Sequence, residues 1–374
     1  MTTPRYTRRL FCSRVGVGAL ALMNRSSWGQ ESRGKSHLLW HDVRDWGVEG
    51  KGWTDTSKYF DRLPSRAQGK VPDKVWKLSR QSSGMLARFR TDASEIWVDY
   101  AVTSKTLATP HIPATAVSGV DLYAEEESGN WRWMSVTRPT SHAVHTRIAD
   151  RILPGERGYA IYLPIYNGTE FLKIGVPDGA SFEPIPPRKE KPLLFYGTSI
   201  THGACASRPG MPHAAILGRR LQRPILNFGF AGAGRMESSV GEFLCELDPA
   251  VYVLDCLPNM TAELVDERTI PLVKQLREAR PETPIVLVED RTYANASLLL
   301  AHGEHNESNR RALRDVYRRL QQEGTQKLFY IDGESLLGQD REDTTDGSHP
   351  SDLGFYRQAN AFEPVLKKAL EVSQ

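Results

Sequence analysis

The hydrophobic pattern of this chain changes period at one proline-rich, charged stretch, Glu183 to Pro192 (EPIPPRKEKP), and no single fold class suits both sides of it. Upstream, apolar residues recur at every second position. Met85, Ala87 and Phe89 share one face of MLARFR, and Ile96, Val98, Tyr100 and Val102 share one face of EIWVDYAV. GVDLYAEEESGNWRWMSV reads as two strands joined through a Ser128-Gly129-Asn130 turn, and GYAIYLPIYNGTEFLKIGV repeats that arrangement around Asn167-Gly168. No helical pattern interrupts the stretch, so residues 36–182 are expected to form a β-sandwich of jelly-roll type.

Downstream, short apolar strands at 193–196, 225–228, 251–254, 285–288 and 328–331 alternate with helical segments. Leu313, Val316, Tyr317 and Leu320 recur at helical spacing, as do Phe355, Ala359 and Phe362. Five strand–helix alternations predict a five-stranded parallel sheet covered by helices on both faces, spanning 193–372, with 183–192 as the linker. A chain of 374 residues can bury two such cores. There is no internal repeat and no long low-complexity segment.

The net charge of +3 is a property of the leader, which holds Arg5, Arg8, Arg9, Arg14 and Arg25 and no acid. Without those five the balance is 3 − 5 = −2, which gives no support to nucleic-acid binding. Residues 1–30, with TRRLFCSRVGVGALALMNRSSWGQ, read as a twin-arginine export signal cleaved near Ser27-Trp28-Gly29, so a periplasmic or secreted location is expected. The apolar run Val15 to Met23 is too short for a permanent membrane anchor. RLFC lacks the small residues that precede a lipidated cysteine, so Cys12 is not expected to carry lipid. Beyond the leader only Cys205, Cys245 and Cys256 remain, an odd number without metal-type spacing. They read as small buried hydrophobes, with one disulfide pair left open.

In open parallel sheets, sites gather at the carboxyl ends of the strands. The first strand delivers Gly197-Thr198-Ser199, where a turn can expose a hydroxyl and aim its own N–H into a site. NFGFAGAGRM follows the second strand, with Gly229, Gly232 and Gly234 letting backbone approach a ligand; Gly232 is the chosen oxyanion donor. No phosphate-loop pattern is present. LDCLPNM ends the third strand, and the Asn259 amide is a further donor. DGSHP follows the last, where Asp346 precedes His349 by three residues, just before a helix start at Ser351. One turn then sets a carboxylate on one imidazole nitrogen and frees the other. Each signal alone is equally a turn, a cap or a flexible connection. Together, in this order at one end of one sheet, they are specific.

The blocks YGTSITHG, NFGFAGAG, DCLPN and DGSHPSDLG resemble those of the GDSL/SGNH serine hydrolases, over about Lys191 to Leu370. SGVDLY resembles the Gly-x-Asp-Leu-Tyr motif of a β-sandwich that precedes one branch of these esterases. The resemblance implies a flavodoxin-like α/β/α hydrolase domain and a mechanism without metal or organic cofactor. It assigns Ser199 as nucleophile, His349 as base, Asp346 as its orienter, and the Ser199 and Gly232 N–H groups with the Asn259 amide as oxyanion hole. Two positions depart from the family pattern. Thr198 stands where an aspartate is usual, and the third block lacks its glycine and trailing aspartate.

His202, Arg291 and His302 are weaker choices for substrate contact. His302 and His305 have helix-turn spacing for a metal but no third ligand nearby, and read as a polar loop at the site mouth. Asp332 competes with Asp346 but precedes GESLLG, a turn. Trp40, Trp46, Trp53, Trp76, Trp97, Trp131 and Trp133 read mostly as sandwich core. The expected substrate is an acylated carbohydrate or other small ester, because the leader signals export and no apolar lid for long chains is evident. A lipid or general carboxylesterase, and an inactive glycan-binding protein, are the alternatives.

Overall fold

The computed structural model describes residues 37–372. The export-signal reading falls on residues 1–30, outside the described residues. The antiparallel half holds β1 (Leu38–Asp42), β2 (Leu86–Thr91), β3 (Ile96–Val102), β4 (Asp121–Glu125), β5 (Trp131–Val136), β6 (Ala143–Ala149), β7 (Arg157–Tyr162), β8 (Thr169–Pro177) and β9 (Glu183–Ile185). They make two facing sheets, β1-β8-β3-β6 and β5-β4-β7-β2-β9. Period-two patterning explains the packing: alternate residues of β3 are buried, and Val98 and Tyr100 meet Phe89, Leu122, Tyr159 and Ile161 of the other sheet.

Four expectations for this half need correction. Helices do interrupt it: α1 (Asp73–Ser79) and α2 (Ala114–Val117) lie between strands, too short to show a helical period. The strands flanking Asn167-Gly168 are not a hairpin, because β7 and β8 belong to different sheets. The linker starts as edge strand β9 on β2, and Arg188 holds buried Glu49 through Nε at 3.0 Å and Nη2 at 2.6 Å. None of the seven tryptophans is fully buried, and Trp53 and Trp76 pack against the core of the second half instead.

That second half has β10 (Leu193–Gly197), β11 (Ile225–Gly229), β12 (Val251–Asp255), β13 (Ile285–Val288) and β14 (Leu328–Ile331), all parallel in the order β11-β10-β12-β13-β14. Its helices are α3 (Ser199–His202), α4 (His213–Arg220), α5 (Ser238–Cys245), α6 (Ala262–Ala279), α7 (Leu300–Gln322) and α8 (Asp352–Glu371). Strands buried on both faces need apolar residues at every position. Leu194 and Tyr196 point to the layer of α5, α6 and α7, and Leu193 and Phe195 to that of α4 and α8. His302 and His305 lie in the first turns of α7, not in a loop, because the helical run begins at Leu300. The strand order reverses beside β10, so the carboxyl ends of β10 and its neighbours frame the crevice where such sheets bind ligands. Among the described residues no helix is long and apolar enough to cross a membrane.

Candidate active site

β10 ends in Gly197, and Thr198 caps α3 by accepting the Ile200 N–H at 3.2 Å. This is the role the non-acidic residue at position 198 takes. Ser199 is the first residue of α3, so its N–H has no intrahelical acceptor. α3 lies hard against the strand ends. A side chain at Gly197 would meet Thr201 Oγ1 at 2.1 Å, and one at Gly229 would meet the His202 backbone nitrogen at 2.1 Å. Gly229 and Gly234 therefore serve packing within the protein rather than approach to a ligand, since a Cβ at Gly234 would sit 2.1 Å from Gly197 O. Gly232 is different. It is half-buried at φ +62°, its carbonyl accepts from Lys74 Nζ at 3.2 Å, and its N–H has no partner among the described residues.

Ser199 Oγ lies 2.8 Å from His349 Nε2, and His349 Nδ1 lies 2.8 Å from Asp346 Oδ2. The turn between Asp346 and His349 is built by the carboxylate itself, whose Oδ1 accepts the N–H groups of Ser348 at 3.0 Å and His349 at 2.8 Å. Burial pushes the Asp346 carboxyl up, but the His349 backbone and ring bonds outweigh it and leave the carboxyl below its ordinary range. An anionic partner at Nδ1 selects the tautomer in which Nε2 is free to take a hydroxyl proton. This arrangement can generate a serine alkoxide equivalent and protonate a leaving group. Asn259 lies at the third strand end, and its Nδ2 donates to the Ala233 carbonyl, fastening the two donor loops together. An amide nitrogen carries two hydrogens, so one remains beyond the bond to Ala233. Asp332 is not in this chain of bonds: it accepts the Ser335 N–H at 3.0 Å as a turn cap. Ser351 begins α8 without a side-chain cap bond.

Three proposed substrate contacts belong elsewhere or in support. His202 is fully buried, with Nε2 3.0 Å from Ile165 O and its ring stacked on Tyr166 at 4.3 Å. Burial and the nearby Arg62 guanidinium hold it well below its usual range, so it is neutral and has no access to substrate. Arg291 is also buried, because its guanidinium pairs with Asp290 and its Nε donates to Ser348 O at 3.1 Å. It clamps the loop that carries His349. His302 is half-buried, hydrogen-bonds Asn295 at 2.6 Å and stacks on Tyr293 at 4.4 Å, and so supports the segment whose Ala294 N–H holds Gly347 O.

Sequence reasoning missed the contribution of the sandwich. Arg62 is buried without a carboxylate and donates to Asn227 O at 2.9 Å, Gly229 O at 2.8 Å, Leu78 O at 2.7 Å and Gln81 O at 2.8 Å. Desolvation lowers it to about 9. The Gly-x-Asp-Leu-Tyr stretch is a clasp. Asp121 accepts Gly210 N–H at 2.8 Å and Arg208 Nη1 at 3.0 Å, and a side chain at Gly210 would collide with the Tyr123 ring. Ile112, Ala116, Val117 and Ile165 of the sandwich pack with Ile200, Ala204, Cys205 and Phe355 directly under α3. Tyr166 donates to Ser199 O at 3.4 Å. His111, exposed on the turn closed by the Thr109–Ile112 bridge, brings its ring to 6.1 Å from that of His349. The one available signal was SGVDLY itself, whose aspartate would be costly to bury without a partner. Cys205, Cys245 and Cys256 are all free.

Residues 190–367 match the model of the GDSL-like lipase/acylhydrolase family, and residues 38–182 match the model of the "N-terminus of Esterase_SGNH_hydro-type". No curated protein matches the chain. A structure described as a GDSL-like lipase from Bacteroides ovatus is similar at 29% identity and TM-score 0.85, covering 90% of this chain and 98% of that one. A salicylyl-acyltransferase from a tetracycline biosynthetic pathway aligns at 19% identity and TM-score 0.69, over 90% of this chain and 98% of its own. A family two carbohydrate esterase from Cellvibrio japonicus aligns at 11% identity and TM-score 0.59, over 91% and 100%. The last two likenesses are of fold alone.

Proposed function

We propose, for a chain whose residues 190–367 are a GDSL-like lipase/acylhydrolase domain and whose residues 38–182 are the N-terminal domain of SGNH-type esterases, an exported carbohydrate O-acyl esterase, acetyl above all. The observation that carries the hydrolytic part is the chain of two 2.8 Å contacts joining Ser199, His349 and Asp346 at the sheet's carboxyl edge. Ser199 Oγ attacks the ester carbonyl while His349 Nε2 takes its proton. The N–H groups of Ser199 and Gly232 and the free hydrogen of the Asn259 amide receive the oxyanion. His349 returns the proton to the departing alcohol, then activates water to release the acid and free serine. Every step uses protein groups and water.

The carbohydrate preference rests on the leader, which reads as an export signal, and on an open site. The Asp346 and His349 side chains are 41% and 24% exposed, which admits a bulky polymer. Incubating the protein with a panel of acetylated polysaccharides and measuring acetate tests it; no release from any of them sinks the carbohydrate assignment.

One observation favours a lipid or general carboxylesterase. Leu298, Leu299 and Leu300 are consecutive and exposed, just beyond the 294–296 segment that supports Gly347, so apolar surface for a long acyl chain is not lacking. Rates across p-nitrophenyl esters of rising chain length separate the readings. A maximum at acetate keeps the first; a maximum at long chains replaces it. An inactive glycan-binding protein would bind polysaccharide yet leave a fluorophosphonate probe unreacted at Ser199.

A further inference from the structure

Cys205 has no part in ester hydrolysis, yet it occupies a costly position. It lies three residues past α3 at φ +70°, a left-handed conformation uncommon outside glycine, and it is buried. Its thiol, an Asp346 carboxylate oxygen and a His349 ring nitrogen all lie within 4.8 Å of one another. Sulfur, imidazole and carboxylate are the donor set that zinc and cadmium prefer, and three converging protein ligands leave a fourth position for water.

We propose that Cys205, Asp346 and His349 form an inhibitory site for a thiophilic divalent cation, zinc or cadmium, that switches the esterase off. The inhibition rests on the reading of His349 as base; the site itself does not. Either ring nitrogen that binds the metal is one the reaction needs, because Nε2 faces Ser199 and Nδ1 faces Asp346. As the metal–sulfur bond forms, the thiol proton leaves to solvent and no oxidation state changes. Burial pushes the free thiol up to about 11, so without metal the cysteine is neutral and adds no charge beside Asp346. Cys245 and Cys256 are internal controls, since neither belongs to such a cluster among the described residues.

The test titrates the whole chain with cadmium chloride while following two signals, the ultraviolet thiolate-to-cadmium charge-transfer band and p-nitrophenyl acetate turnover. Each variant's turnover is read as the ratio with and without cadmium. The expected result is one saturable band, turnover lost in step with it, and recovery of both on adding EDTA. Cys205→Ser and, should that fold poorly, Cys205→Ala remove the band and raise the inhibitory concentration by about tenfold or more. Cys245→Ser leaves both signals as they are. His349→Gln weakens the band, which reads the site even where no ester is turned over. A band and inhibition unchanged in Cys205→Ser, or no saturable band in the unaltered protein, overturns the proposal.

Discussion

The Asp346–His349 turn and the joint beneath α3 are built in opposite ways. The turn is local and partly exposed, with only Gly347 and Ser348 between the carboxylate and the imidazole it orients. The joint is buried and long-range: Arg62 reaches Gly229 across 167 positions, and Asp121 reaches Gly210 across 89. Groups proposed to react must meet substrate, and these stay near water. The groups that hold them must resist displacement, so they are desolvated and fully bonded. Chemistry and stability should therefore separate under mutation.

The largest effect sharpens that separation. Ser199→Ala should lower turnover on the order of a thousandfold or more while the melting temperature stays put. Enzyme kinetics with a thermal melt on the same preparation decide it; a collapsed fold would make Ser199 part of the scaffold and end the contrast.

Arg62→Ala should do the reverse. It strips donors from the buried Asn227 and Gly229 carbonyls, each worth about 1–3 kcal/mol where left unpaired, and from the part-buried Gln81 and Leu78 carbonyls, so the loss is a few kcal/mol. A urea titration should show a lower midpoint, with Arg62→Lys partway between. An unmoved midpoint would mean the joint adds no stability.

Asp255 tests the buried side by pH. Desolvation pushes its carboxyl up to about 7, with the Thr201 hydroxyl at 2.9 Å opposing. The folded state thus binds this proton more tightly than the unfolded chain, whose value is near 4. That stability is complete below about pH 4 and is lost as pH rises through 7. Asp255→Asn does not titrate, so its melting temperature should gain on the unaltered protein by a few degrees between pH 4 and 8. A constant difference over that range would place the titration elsewhere.

The smallest effect blurs the comparison by design. His111 comes from the sandwich but is exposed beside His349. Loss of one hydrogen bond is worth about 1 kcal/mol, so His111→Ala should raise KM about fivefold on an acetylated oligosaccharide and leave p-nitrophenyl acetate nearly unaffected. Equal losses on both would make His111 a support of His349 instead.

What could be read in the sequence follows from how far each interaction reaches along the chain. The strands 193–196 and 225–228 were legible because burial on both faces requires unbroken apolar runs, and Ile96 to Val102 because one buried face imposes alternation. α1 and α2 were not, because one or two turns leave no period to detect. His202 was misread because a histidine after a strand end looks the same whether it faces water or a buried Tyr166.

By itself, the sequence determined two fold classes, the order of the candidate site residues along the strands, and the short spacing that lets one turn join Asp346 to His349. Only the tertiary structure decided that the sandwich closes over the underside of α3 and brings His111 to the site. It also gave Gly229 and Gly234 to packing, turned Arg291 into a clamp, and set Cys205 beside His349. The physical reason is that periodicity records which face of a single element is buried, whereas partners brought together by chain folding leave no regular trace in either segment.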